Sequence, residues 1–233
     1  MSRLQTRQEG NIAIIQLDSG DQNRFEVVLL LQLIETLKEF ETREDIKALV
    51  FTGTHPKYFS TGLNIDWVKA HEREDIVGLI QLMHHLLYDT LLYPKPIVGA
   101  LNGHTFGFGA IWACCFDFRF MNQDKGFFCF PEVEVPFDVP PTLMEHLEVA
   151  MPASTLQRVV LSAERMPATK ALELGLLQEI VPPEEVVSRS VAFAEMLSQK
   201  NLRNYTLCKR RIREKFSYQL AEGRDSDFAF EIN

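Results

Sequence analysis

The sequence predicts an α/β fold with a helical C-terminal region, and three observations carry that expectation. Apolar runs rich in β-branched residues alternate with helically patterned segments up to about Glu132. Two of those runs, "IKALVFTG" (46–53) and "KPIVGALNG" (95–103), are short and apolar, as strands buried in a parallel sheet are. From Pro140 onward the pattern is helical. No Pro/Ser-rich linker, low-complexity run or sequence repeat interrupts the chain. The economical reading is one domain, with a core over residues 1–190 and a helical region over 191–233.

Taken in order, "NIAIIQL" (11–17) reads as a strand and "LDSGDQN" as a loop. Phe25 to Phe40 has helical spacing, with Val27, Leu30, Leu33, Ile34 and Leu37 on one face. "IKALVFTG" is a strand, "THPKYFSTGLN" (54–64) a loop, and a helical stretch runs to about Leu92. "KPIVGALNG" is a strand, and "TFGFGAIWACCFDFRF" (105–120) begins as a wholly apolar helix entered through Gly-Phe-Gly. "FDFRFMN" (116–122) and "GFFCFPE" (126–132) are further strands. In the C-terminal half, Pro182 and Pro183 break the helical pattern and start a helix with Glu184 and Glu185 in its first turn.

Composition excludes some classes. The formal net charge of -8 argues against nucleic acid as a partner, because phosphate binding needs a basic footprint. The N-terminus lacks the apolar core of a signal peptide, and the most apolar window, Ile76 to Leu92, is broken by Gln81, His84, His85 and Asp89, so no membrane span is expected. Cys114, Cys115, Cys129 and Cys208 match neither a zinc nor a disulfide spacing, which suggests reduced, mostly buried thiols in a cytoplasmic protein. The six histidines form no ligand-like cluster, so no metal is expected.

Two loops carry the chemistry. A helix start leaves N–H groups without partners and favours negative charge, and glycine lets backbone approach a ligand closely. The N–H of Phe108, between Gly107 and Gly109, is therefore a candidate donor to an oxygen that gains charge. "YFSTGLN" (58–64) has the same character: it leaves a strand, turns at Gly62 and enters a helix. Two such loops after adjacent parallel strands open at one end of the sheet, where ligands bind.

The residues of these loops resemble the crotonase, or enoyl-CoA hydratase/isomerase, superfamily. "KYFSTGLNI" is similar to the family's K-x-F-[SA]-x-G-[AL]-D-[IL], with Asn64 for the Asp. "PKPIVGALNGHTFGFGAIWACCFDFRF" is similar to its Asn-Gly and triple-glycine segment, with departures at Phe108, Trp112 and Phe116. "FCFPEVEV" and "ATKALELGLLQEIVPPEEV" match two later motifs, and the resemblance is collinear from about Asn11 to Glu222. It implies a spiral of ββα repeats, with 191–233 as a shortened trimerisation region, assembled as homotrimers or dimers of trimers. It implies an acyl-CoA thioester as substrate, with CoA part of that substrate and no separate cofactor. The thioester enolate would be held by the N–H groups of Leu63 and Phe108, with Thr61, Gly62, Gly107, Gly109 and Ile111 around the substrate. Phe108 is bulkier than the family's usual Gly and would narrow the acyl pocket. Relatives continue for another helix or two past the position of Asn233, and their absence would open the pocket or change the assembly.

The acids decide the reaction. In the hydratase branch the position matching Ile111 is a Glu that, with a second Glu matching Glu132, activates a water. Ile111 carries no proton, whereas Glu132 remains. One carboxylate beside an oxyanion hole suffices to take a proton from C2 and return it at C4, and the isomerase branch has an apolar residue at the Ile111 position. Burial between Phe130, Pro131 and Val133 would raise the Glu132 pKa toward neutrality, where a base can also act as acid. The expectation is a 3-enoyl-CoA to 2-trans-enoyl-CoA isomerase in fatty-acid degradation. Two candidates for a second acid stay open: Glu134, which extended chain would point the same way as Glu132, and Asp138, in the altered loop "VPFDVPP". With either one, hydration or thioester hydrolysis is the alternative; a catalytically silent CoA-binding homologue is another. Lys57 is the candidate for the CoA phosphates, and "CKRRIREK" (208–215) is either a second cationic site or a solvated basic face.

Overall fold

The computed structural model of the chain describes residues 2–20, 22–135 and 139–222, excluding the side chains of Glu145 and of residues 215–222. A polar strand β1 (Leu4–Glu9) pairs antiparallel with β2 (Ile12–Leu17), and α1 (Val27–Thr42) follows. Three ββα turns then wind one after another. The first is β3 (Ala48–Gly53), β4 (Tyr58–Ser60), α2 (Ile65–Ala70) and α3 (Arg73–Leu91). The second is β5 (Ile97–Leu101), β6 (His104–Phe106) and α4 (Phe108–Cys114). The third is β7 (Phe118–Asn122) and β8 (Phe127–Cys129), a 3-10 turn at Glu132–Glu134, α5 (Pro141–Leu147) and α6 (Ala153–Ser162).

Each turn sends its first strand to one sheet and its second strand to another. The larger sheet has the order β1-β2-β3-β5-β7-β10, closed by β10 (Glu179–Val181). The smaller has the order β4-β6-β8-β9, closed by β9 (Met166–Pro167). Apart from the antiparallel pairs β1/β2 and β8/β9, the pairings are parallel. This is the spiral of ββα repeats that the sequence resemblance implies. The residues of β3 and β5 are buried throughout, which is why their sequences are continuous apolar runs.

The larger core lies between the sheets and the helices α1, α3 and α4. Every residue of α4 is buried; Trp112 packs against Phe51, Phe59 and Phe116 and donates its indole N–H to Thr90 Oγ1 at 2.9 Å. A second core packs α8 (Val186–Ser198) on the opposite face of the larger sheet through Val186, Val191, Ala194 and Leu197. The boundary expected at residue 190 therefore falls inside one helix that seats on the sheet as a single piece. α7 (Ala168–Glu173) precedes β10, and α9 (Leu202–Glu222) is the last described element. The proline pair also acts differently from expectation: Pro183–Glu185 form a 3-10 turn, and the α-helix begins only at Val186.

The basic run on α9 divides by burial. Lys209 and Arg213 turn inward to Asp117, with Lys209 Nζ 2.8 Å and Arg213 Nη1 3.0 Å from its carboxylate. Asp117 also accepts the N–H of Ile97 at 2.9 Å. Arg213 and Arg119 further donate to the carbonyls of Cys115, Phe116, Ala113 and Cys114, which end α4 and follow it. The inner half of the run is thus a structural clamp on the C-terminal end of α4, and among its described side chains Arg210 and Arg211 are the exposed cations. Cys114, Cys115 and Cys129 are buried and Cys208 is exposed; all four are free thiols. No helix among the described residues is long and apolar enough to cross a membrane.

Candidate active site

β4, β6 and β8 lie side by side and parallel, so the segments that leave their carboxyl ends converge. These are the loop 61–64, the turn at Gly107 that starts α4, and the Pro131–Glu132 segment. They close a cavity of about 140 Å³. One wall is the apolar stripe Ile76, Leu79, Ile80 and Met83 of α3, and Leu143 of α5 also lines the cavity.

The two glycine turns touch. Gly62 has φ +88, and a Cβ there would sit 2.9 Å from the Phe106 carbonyl oxygen and 3.0 Å from the Phe108 nitrogen. Gly107 has φ +52 and ψ -132, a region closed to side-chain-bearing residues; a Cβ there would meet Glu132 Oε1 at 3.9 Å. Glycine at these two positions brings the loops together and leaves room facing the carboxylate. Gly109 has a different reason: a Cβ there would lie 2.8 Å from the Ser60 side chain, so it serves the packing of α4 on β4. Asn64, where the family pattern has Asp, caps α2 by accepting the Trp67 N–H at 3.3 Å.

Backbone hydrogen bonding leaves two donors over. Phe25 and Leu63 form an isolated parallel bridge, in which Phe25 bonds to Gly62 and Asn64 and the Leu63 N–H points away from it. Phe108 is the first residue of α4, and its N–H precedes the helical bonding, which begins with Ala110 and Ile111 donating to the Gly107 carbonyl. Among the described residues neither Leu63 N–H nor Phe108 N–H has a partner, and both residues line the cavity.

Glu132 is the acidic side chain of the cavity lining. As a whole the residue is half-buried, but its Oε2 is sealed from solvent without a hydrogen-bond partner. Loss of solvation pushes its pKa up to about 7, only partly opposed by a backbone hydrogen bond. Ile111 is buried and lines the same cavity. The Phe108 ring is buried against Phe25, edge to face at 4.9 Å.

Of the residues singled out from sequence, the cavity lining gathers Thr61, Leu63, Gly107, Phe108, Ile111 and Glu132. Gly62 and Gly109 are not among the lining residues. Lys57 is exposed, with its Nζ 5.3 Å from the centre of the Tyr58 ring, and is not part of the lining. Glu134 is exposed and outside the cavity, because the chain after Pro131 forms a 3-10 turn rather than extended strand and two-residue spacing no longer aligns side chains. Asp138 lies outside the described residues. Sequence reasoning did not reach the α3 wall, although Ile76, Leu79, Ile80 and Met83 have one-face helical spacing, nor the segment Gln22–Phe25, which carries no recognisable chemistry. Among the described residues no group of His, Cys, Asp and Glu is arranged to hold a metal.

Two neighbouring parallel strand ends, each followed by a glycine turn with a backbone N–H left over, thus share one cavity with the Glu132 carboxyl. The enoyl-CoA hydratase/isomerase family model matches residues 7–230, and the chain belongs to that family, whose members act on acyl-CoA thioesters. Enoyl-CoA delta isomerase 3 of Arabidopsis thaliana is 27% identical over 82% of this chain and 83% of its own length. A probable enoyl-CoA hydratase from Mycobacterium tuberculosis H37Rv superposes with a TM-score of 0.89 at 26% identity, over 95% of this chain and 93% of that one. Human mitochondrial delta3-delta2-enoyl-CoA isomerase shares the fold, with a TM-score of 0.92 at 20% identity over 97% and 89% of the two chains.

Proposed function

We propose that the protein is an enoyl-CoA isomerase that moves a carbon–carbon double bond from the 3,4 to the 2,3 position of an acyl-CoA thioester. The observation that carries this reading is the solitary acid. Glu132 alone among the described lining residues can exchange a proton, and Ile111 lines the same cavity at the position where the family resemblance gives the hydratase branch its second Glu. In the proposed step, Glu132 takes a proton from C2, and the electron pair moves into the thioester, leaving negative charge on its oxygen. The N–H groups of Leu63 and Phe108 stabilise that oxyanion. The carboxyl then returns the proton at C4 and the double bond settles at 2,3. Substrate and product have the same atoms, so no water or co-reactant enters.

A base with a pKa near 7 suits both halves of this transfer. The apolar wall formed by α3 and Leu143 supports a hydrocarbon acyl group. The isomerase relative from Arabidopsis thaliana supports the same choice. The test is to incubate the protein separately with 3-enoyl-CoA, 2-enoyl-CoA and saturated acyl-CoA and identify products by mass. The reading expects isomerisation of the first substrate and no appreciable hydration of the second or hydrolysis of the third. Rapid hydration of 2-enoyl-CoA would replace it with a hydratase in which another acid takes part.

A further inference from the structure

The N–H groups of residues 61–64 have different fates, and the segment Gln22–Phe25 decides which one is left over. Thr61 donates to the Gln22 carbonyl at 3.1 Å, and Asn64 to the Phe25 carbonyl at 2.9 Å. Gly62 donates to Ser60 Oγ at 3.1 Å, and that hydroxyl donates to the Asn23 carbonyl at 2.7 Å. Phe25 N–H in turn donates to the Gly62 carbonyl at 2.8 Å. Only the Leu63 N–H is directed elsewhere. The same segment reaches the other donor, because the Phe25 ring packs edge to face on Phe108 at 4.9 Å and on Trp112 at 5.6 Å.

Asn23 stands at the centre of this strap. It is fully buried and has φ +49, a left-handed conformation that Asn tolerates better than most side chains. Its Oδ1 accepts the Ser19 N–H at 2.9 Å, and its Nδ2 donates to the Phe59 carbonyl at 3.1 Å. One side chain thus joins the loop before α1 to β4, the strand that delivers the 61–64 loop. Asn23 is not part of the cavity lining.

We propose that Asn23 is a positioning residue for the reaction: by holding Gln22–Phe25 along the 61–64 loop, it aims the Leu63 N–H, and through Phe25 the Phe108 N–H, at the thioester oxygen. This inference rests on the reading of the site as an oxyanion hole for an acyl-CoA. Misplacing a donor by a fraction of its hydrogen-bond length weakens charge stabilisation in the transition state more than it weakens substrate binding.

The test compares Asn23→Gly, which keeps the left-handed backbone and removes every side-chain hydrogen bond, with Asn23→Asp, which keeps the acceptor and loses the donor. Phe25→Leu is the companion variant should either fail to fold. For folded protein, kcat and KM with 3-enoyl-CoA are measured together with the carbonyl stretching frequency of a bound saturated acyl-CoA. The expected result is a kcat lowered about tenfold to a hundredfold with KM within about twofold. The carbonyl stretch should move back toward its value in water, further in Asn23→Gly than in Asn23→Asp. A folded Asn23→Gly with wild-type kcat and an unchanged stretch would overturn the proposal, whatever its melting temperature. A wild-type protein that neither isomerises the substrate nor shifts the carbonyl stretch would instead overturn the functional reading on which the proposal rests.

Discussion

Replacing Glu132 by Gln should make the protein more stable and inactive, and the size of the gain can be worked out. In an unfolded chain the carboxyl titrates near its ordinary value of 4.5; in the cavity it is pushed up to about 7. Between those values the folded state binds the proton that the unfolded state has released. The stability of the wild type therefore falls as pH rises through that window, and the loss is complete above the folded value. The shift corresponds to about 3 kcal/mol, an order-of-magnitude figure at 1.36 kcal/mol per pKa unit. Gln keeps the shape and cannot ionise. The assay is urea unfolding of both proteins from about pH 5 to about pH 8. Every other titrating group is common to the pair, so the difference between their curves isolates position 132. It should be small at the acid end and reach about 3 kcal/mol in favour of the Glu132→Gln variant at the alkaline end. In the wild type kcat/KM should rise with pH through about 7, because the base form is the reactive one. Parallel stability curves, or an activity limb near 4.5, would show that the carboxylate is solvated and the reasoning from its burial is wrong.

Four further outcomes follow from the same geometry. Phe108→Pro places proline at the first position of α4, where it fits a helix, but deletes the donor; it should lower kcat by about 10²–10³ relative to Phe108→Ala, which loses the ring and keeps the N–H. Equal rates in the two folded variants would remove the Phe108 N–H from the mechanism. Ile111→Glu should introduce measurable hydration of 2-enoyl-CoA at a stability cost of several kcal/mol, since it buries a new carboxylate; a mass spectrum without hydrated product would count against the two-acid explanation of hydration. Asp117→Asn should destabilise by about 3–5 kcal/mol in thermal or urea unfolding, because Lys209 and Arg213 lose their buried counter-charge; a neutral effect would mean the backbone carbonyls suffice. Lys57→Glu should weaken acyl-CoA binding in a salt-sensitive way in titration calorimetry and leave the rate at saturation unchanged; unaltered affinity at low salt would detach Lys57 from the substrate.

The buried strands and the two glycine loops were legible because each is enforced locally. β3 and β5 are covered on both faces and so must be apolar throughout, while Gly62 and Gly107 sit at backbone angles that other residues resist. Glu132 was singled out by the family resemblance, since the residues alone fit a solvated acid at a strand end equally well. The edge strand β1 was not, because its exposed residues Gln5, Thr6, Arg7, Gln8 and Glu9 carry no core pattern. The short strands β6, β9 and β10 are two or three residues long, too brief for a period to show. Asp117 and the cations of α9 are more than 90 positions apart, so the sequence offers no sign that Lys209 and Arg213 face inward. The Asn23 side-chain amide bonds to backbone groups of Ser19 and Phe59, and Phe25 packs by a ring edge on Phe108; neither contact leaves a chemical signature in residue type.

The most direct measurement of the central account follows a labelled proton. The protein is mixed in excess with 3-enoyl-CoA carrying deuterium at C2, and the product of a single turnover is analysed by mass and NMR. One sealed carboxyl that carries the proton from C2 to C4 predicts 2-enoyl-CoA with part of the deuterium at C4, and no such product from Glu132→Gln. A product heavier by one water, or 2-enoyl-CoA whose C4 hydrogen comes entirely from solvent, would contradict the account.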